Sequence, residues 1–128
     1  MSESMNERAV VAIVLNRDLL FGSRIRSVLA NLVLQSRFVP NTEQFIDALR
    51  ELNSSAALGI IDMNGTVSWD LLGEALSKEG DLAPTLAFGP HVDVESRRAA
   101  KIAGVTRIVS NGQFQSDMAG LIDRYRRR

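Results

Sequence analysis

Apolar residues along this chain follow two alternating patterns. Short apolar runs predict five strands, at residues 9–15, 36–39, 57–62, 84–88 and 106–109. Between the runs, apolar residues recur at helical spacing, as at Ile25, Val28, Leu29 and Leu32, which is typical of an amphipathic helix. Five strands that alternate with five helices predict an α/β fold, with a parallel sheet covered by helices on both faces.

Capping residues support the boundaries of these elements. Asn41 and Ser68 are each placed to cap a helix, and Asp93 is placed to start the fourth helix. Gly104 follows that helix at the position where a left-handed residue closes it. No internal linker or repeat interrupts the series. We therefore predict one domain over residues 9–126, preceded by a flexible N-terminal segment, residues 1–8.

Composition narrows the classes of function. The 128 residues carry 15 basic and 15 acidic side chains, so no overall field favours nucleic acid or a membrane surface. The chain has no cysteine, which excludes disulfides, thiolate metal sites and cysteine nucleophiles. No apolar run is long enough for a membrane span, and no signal peptide is recognisable. We expect a cytoplasmic protein that binds neither nucleic acid nor membrane.

The third strand ends in Asp62, whose carboxylate is the side chain best placed to take part in chemistry. In a parallel α/β sheet, function concentrates in the loops at the carboxyl ends of the strands, and Asp62 lies at that edge. No glycine-rich phosphate loop or dinucleotide motif follows any strand. No pair of nucleophile and base is visible, so we do not expect an enzyme. An aspartate that only forms a turn (an Asx-turn) is the structural alternative.

Several segments resemble the receiver domain of response regulators. They are Leu20-Phe21, the helix from Arg24 to Leu29, the strand end from Ile60 to Gly65, Pro84 to Phe88, and Ala103-Gly104-Val105. The resemblance extends from about residue 10 to about residue 125. It implies the flavodoxin-like (βα)5 topology, with five parallel strands in the order 2-1-3-4-5.

The resemblance also implies a phosphorylation site, of which this chain keeps one position. Asp62 matches the aspartate that receives the phosphoryl group in receivers. Asn16 and Arg17 stand where receivers have an acidic pair that binds Mg²⁺. Gly89 matches the threonine or serine that follows the phosphoryl group, and Asn111 matches the lysine that pairs with it.

These substitutions predict a degenerate site. An acyl phosphate concentrates negative charge, which a divalent cation and a lysine must offset. We expect Arg17 to take the place of the metal by pairing with Asp62. Asp18 offers a second carboxylate one residue out of register, or the N-cap of the first helix. Gly89 lacks the hydroxyl that would respond to phosphorylation. No cofactor is expected, and Mg²⁺ only if Asp62 does accept a phosphoryl group.

A second candidate site is a basic surface that could bind a protein partner. In receivers, the surface of the fourth helix, fifth strand and fifth helix is the usual site of dimerisation and partner binding. The residues that match it here are basic: Arg97, Arg98, Lys101 and Arg107. The sequence thus predicts a stand-alone, atypical receiver-like signalling module that acts through protein contacts, with a histidine kinase, an output protein or a second copy as partner. The alternatives are a true phospho-accepting receiver and a small-ligand-binding flavodoxin-like domain.

Overall fold

A computed structural model describes residues 8–128 and has the predicted sheet. Its five strands are β1 (Val11–Leu15), β2 (Gln35–Val39), β3 (Ala56–Asp62), β4 (Thr85–Gly89) and β5 (Arg107–Ser110). They are all parallel and lie in the order β2-β1-β3-β4-β5. The fold class and the strand order implied by the sequence are confirmed. The predicted flexibility of residues 1–8 concerns a segment that, except for residue 8, lies outside the described residues.

Burial explains why the strands are so apolar. Every residue of β1, β3 and β4 is buried, because helices cover both faces of these central strands. The edge strands are partly exposed and carry polar residues. In the register of β3 and β4, Asp62 lies opposite Phe88. Asp62 therefore stands at the carboxyl edge of the central strand.

The helices connect the strands and lie on both faces of the sheet. They are α1 (Leu19–Asn31), α2 (Thr42–Leu52), α3 (Trp69–Lys78), α4 (Val94–Ala103), α5 (Asn111–Ser116) and α6 (Met118–Tyr125), with a 3₁₀ turn at Asn53–Ser55. Asn41 caps α2 as predicted, and Gly104 closes α4 with φ of 100°. Ser68 precedes α3 without a side-chain hydrogen bond. Among residues 8–128, no helix is both long and apolar enough to traverse a lipid bilayer.

Two apolar cores lie on the two faces of the sheet. One contains Ile25 and Leu29 of α1 together with Phe114 of α5 and Ile122 of α6. The other contains residues of α2, α3 and α4, such as Phe45. The helices thus cover both faces, as predicted.

Two short helices follow β5, where the sequence predicted a single fifth helix. The chain leaves helical geometry at Asp117, with φ of −145° and ψ of 46°, between α5 and α6. Ser116 and Asp117 are weak helix formers whose side chains compete for backbone hydrogen bonds. The break lets Phe114 stack on Phe88, with ring centroids 4.2 Å apart, while Met118 and Ile122 begin a second buried stripe.

Arg127, the residue after the predicted domain boundary at 126, contacts the sheet. The Arg127 guanidinium donates hydrogen bonds to the carbonyl oxygens of Ala56, Asp81 and Asn53, at 2.9, 3.0 and 2.6 Å. Its backbone N–H donates to the Ala57 carbonyl at 2.9 Å. Arg127 therefore fastens the C-terminal segment to the amino-terminal edge of the sheet.

Candidate functional site

Asp62 is buried at the end of β3, with 7% of its surface exposed, and amide groups surround it. The Asn16 side chain donates to Asp62 Oδ2 at 2.6 Å. The backbone N–H of Asn64 and its side-chain amide donate to Oδ1 at 2.8 and 2.7 Å. Both carboxylate oxygens thus accept hydrogen bonds from neutral donors. The bond from the Asn64 backbone is the Asx-turn considered from the sequence, but it belongs to a larger network.

The predicted pairing of Arg17 with Asp62 is wrong. Arg17 is exposed, and the ion pairs within residues 8–128 do not join it to Asp62. Asn16 and Arg17 are consecutive residues just after β1, and successive side chains of an extended segment point in opposite directions. Asn16 takes the position against the carboxylate, while Arg17 lines the same small cavity without forming an ion pair with Asp62.

Asp18 has a structural role. Its side chain accepts hydrogen bonds from the backbone N–H groups of Leu20 and Phe21, at 2.9 and 3.4 Å. It is the N-cap of α1, which is one of the two roles that the sequence left open. The carboxylate is thereby directed to the helix rather than to Asp62.

Asn111 joins the network around Asp62 from the other side. It is the first residue of α5, where Ser110 and Gln113 form a capping box directly after β5. The side chains of Asn64 and Asn111 exchange two hydrogen bonds, each 3.0 Å long. The residue at the lysine position thus links the loop after β3 to the start of α5. Both lysines of the chain are elsewhere, Lys78 in α3 and Lys101 in α4.

Gly89 stands beside Met63, a residue whose role the sequence did not indicate. A Cβ atom at Gly89 would lie 2.8 Å from Met63 Cβ and 3.2 Å from its terminal methyl carbon. Met63 is buried, with 4% of its surface exposed, and its N–H donates to the Phe88 carbonyl at 2.8 Å. The space that a serine or threonine side chain would occupy in a receiver is thus filled by a methionine.

The residues around Asp62 do not suit Mg²⁺. Mg²⁺ prefers oxygen ligands in a near-octahedral arrangement. Asn16 turns its amide hydrogens toward Asp62, and Arg17 is the other residue at the acidic-pair positions. Within residues 8–128, no three His, Cys, Asp or Glu side chains are grouped so as to hold a metal ion. The cavity beside Asp62 and Asn16 measures about 20 Å³, which is room for about one water molecule.

The four basic residues predicted to form an interface do lie together. Arg97, Arg98 and Lys101 of α4 and Arg107 of β5 line one groove of about 590 Å³. His91, from the loop after β4, lines the same groove. This groove is separate from the cavity at Asp62, since the two have no lining residue in common.

Comparisons with known proteins agree at the level of the fold. No family model matches the chain, and no curated protein matches it. Among solved structures it is similar to the chemotaxis protein CheY4 of Vibrio cholerae (TM-score 0.72, 10% identity, 91% of this chain and 98% of that one). It is also similar to the CheY-like protein TadZ of Pseudomonas aeruginosa (TM-score 0.69, 20% identity, 91% of this chain and 98% of that one). A response regulator of Thermotoga maritima is similar with a TM-score of 0.71 and 13% identity, over 91% of this chain and 97% of that one.

These similarities define the class of the protein by its fold. The chain has the CheY-like, flavodoxin-type fold of response-regulator receiver domains, as its sequence motifs implied. Within that fold, Asp62 occupies the expected place at the end of β3. Around it lie Asn16, Asn64 and Asn111.

Proposed function

We propose that this protein is an atypical receiver-like signalling module that works through protein–protein contacts, without conventional Mg²⁺-dependent phosphorylation of Asp62. One observation carries the proposal: both oxygens of Asp62 accept short hydrogen bonds from the amides of Asn16 and Asn64. A phosphoryl group would displace the hydrogen bonds at the oxygen to which it is attached. It would also add negative charge where neutral amides, rather than a metal ion and a lysine, surround it.

The packing at Gly89 supports the same proposal. In a switching receiver, the hydroxyl after β4 moves toward the phosphoryl group and couples it to the surface. Here that position has no side chain, and Met63 fills the adjacent space. We therefore infer that the aspartate network holds the loops after β1, β3 and β5 in one arrangement.

Exposed apolar residues at the same rim support a role in protein contacts. Leu19 and Leu20 begin α1, directly after the Asp18 cap, and are 89% and 86% exposed. Apolar side chains adjacent to each other on a surface favour association with another protein. The partner proposed for this rim is a protein that recognises the fixed arrangement around Asp62, rather than its phosphorylation.

Phosphorylation chemistry provides the test. The protein is incubated with Mg²⁺ and either acetyl phosphate or beryllofluoride, and adducts are measured by intact mass and by amide chemical shifts. We expect no adduct at Asp62. A variant with Asn16→Asp, Arg17→Asp and Asn111→Lys rebuilds the acidic pair and the lysine, and an established receiver serves as the positive control. An adduct on the wild-type protein that Asp62→Asn abolishes would refute the proposal and favour the phospho-accepting alternative.

A further inference from the structure

The groove between α4 and β5 concentrates positive charge. Its walls carry Arg97, Arg98 and Lys101 on one side and Arg107 on the other. Its apolar lining includes Val94 and Ile108. The volume of about 590 Å³ falls within the range of small-molecule sites, about 300–1,000 Å³.

Among residues 8–128, none of these four cations has a carboxylate within ion-pair distance, although Asp93 and Glu95 lie at the start of α4. Elsewhere, Arg37, Arg50 and Arg126 each have a carboxylate within 4.0 Å. The ion pairs found within residues 8–128 include none of the four groove cations. Arg97 and Lys101 are also one helical turn apart, an arrangement of like charges that destabilises a helix. An anion in the groove would relieve this repulsion.

We propose that this groove binds a small ligand with two phosphate groups, of the size of a nucleoside diphosphate. Guanidinium groups bind phosphate oxygens through paired hydrogen bonds, and three of the four cations are arginines. The groove is larger than two phosphates require, and its apolar residues offer a surface for the remainder of the ligand. The site is distinct from the Asp62 rim and does not depend on the function proposed for that rim.

A second copy of the chain fits this groove less well. A symmetric dimer through this surface would place the same cations against each other. In such a dimer, α6 offers Asp123 as an acidic complement, and Asp117 directly precedes that helix. Asp123 is already within 3.5 Å of Arg126 and 3.2 Å of Arg128. The charge of the groove therefore favours an anionic ligand over self-association.

Titration of the full chain with ADP tests the proposal, with pyrophosphate and adenosine as partial ligands. Salt is kept at about 0.15 M, where charges more than about 8 Å apart are largely screened. We expect saturable chemical-shift changes at backbone amides of α4 and β5, with ADP bound most tightly and adenosine not detectably. Arg97→Glu should weaken ADP binding about tenfold or more. Arg124→Glu, the same charge change at an exposed site on α6, should alter it less than twofold.

Three outcomes would overturn the proposal. The first is the absence of saturable binding of ADP, and the second is an equal loss of binding in the Arg97 and Arg124 variants. The third is binding of hexaglutamate or of a ten-residue oligothymidylate at least tenfold tighter than that of ADP, which would assign the groove to an acidic protein or to nucleic acid. Chemical-shift mapping on the wild-type protein locates the site independently of the variants. Beryllofluoride reports on Asp62 alone, so the two proposals fail separately.

Discussion

Restoring a hydroxyl at Gly89 should destabilise the protein, although it moves the sequence closer to that of a receiver. The variant is Gly89→Ser. Gly89 does not have a positive φ, so the backbone itself accepts a serine. The obstacle is space, because the new Cβ would lie 2.8 Å from Met63 Cβ.

The loss of stability in Gly89→Ser can be estimated from the displacement of Met63 that the new side chain requires. Met63 Cβ is bonded directly to the backbone, and the Met63 N–H donates to the Phe88 carbonyl at 2.8 Å. Relief of the contact therefore requires a shift of the loop after β3 and a strain on that hydrogen bond. Overpacking of this kind costs about 1–3 kcal/mol. At about 4 °C per kcal/mol for a domain of this size, the melting temperature should fall by about 4–12 °C.

Thermal and urea unfolding measure this change. Gly65→Ser is the matched control, because a Cβ at Gly65 has no atom within 4 Å, and it should alter the free energy of unfolding by less than about 0.5 kcal/mol. In the Met63→Gly background the penalty of Gly89→Ser should disappear, a coupling of about 1–3 kcal/mol. Equal stability of the two serine variants, or a penalty unchanged by Met63→Gly, would show that Met63 does not fill this space.

Three further predictions concern the hydrogen bonds that hold the fold. Arg127→Ala should lower the free energy of unfolding by about 1.5–3 kcal/mol through loss of three charge-assisted bonds, and Arg124→Ala by less than about 0.5 kcal/mol; similar urea midpoints would contradict this. Asn111→Ala should speed amide exchange in the loop at Asn64, because their paired bonds are lost, and unchanged exchange would count against that link. Hydrogen bonds from the side chain and the backbone N–H of Ser96 lower the pKa of Asp93, so its stabilisation is present above pH 4 and is lost as the pH falls through the lowered value. The urea-midpoint difference between wild type and Asp93→Ala should therefore shrink between pH 6 and pH 3, and a constant difference would contradict this.

The sheet could be predicted well because strands and helix caps leave short-range patterns in the sequence. The all-buried strand that ends in Asp62 is an unbroken apolar run, and the cap at Asn41 is a short-range pattern. The break at Asp117 was missed because the apolar residues from Met118 onward already predict a helix by themselves. Whether that helix continues back to Asn111 depends on Phe114, whose stacking on Phe88 is a tertiary contact.

The strand ends that carry the candidate residues could be predicted from the sequence, but the contacts of these residues could not. Asp62, Gly89 and Asn111 lie where the motifs placed them, at the ends of β3 and β4 and after β5. The partner of Asp62 was misassigned to Arg17, since charge favoured the arginine while backbone geometry favours its neighbour Asn16. The filling of space by Met63 is a contact between the loop after β3 and the end of β4, which a single sequence does not reveal.

The clamp formed by Arg127 has a consequence for how the molecule is completed during synthesis. Its guanidinium joins carbonyls 74 and 46 residues earlier in the chain, at Asn53 and Asp81. A ribosome makes the protein from its amino terminus, so these carbonyls lack this partner until residue 127 has been made. The amino-terminal edge of the sheet therefore gains these hydrogen bonds only after the five strands have been synthesised. A fusion placed after residue 128 would start one residue from Arg127. A linker at that point keeps the fused segment from disturbing the hydrogen bonds of Arg127.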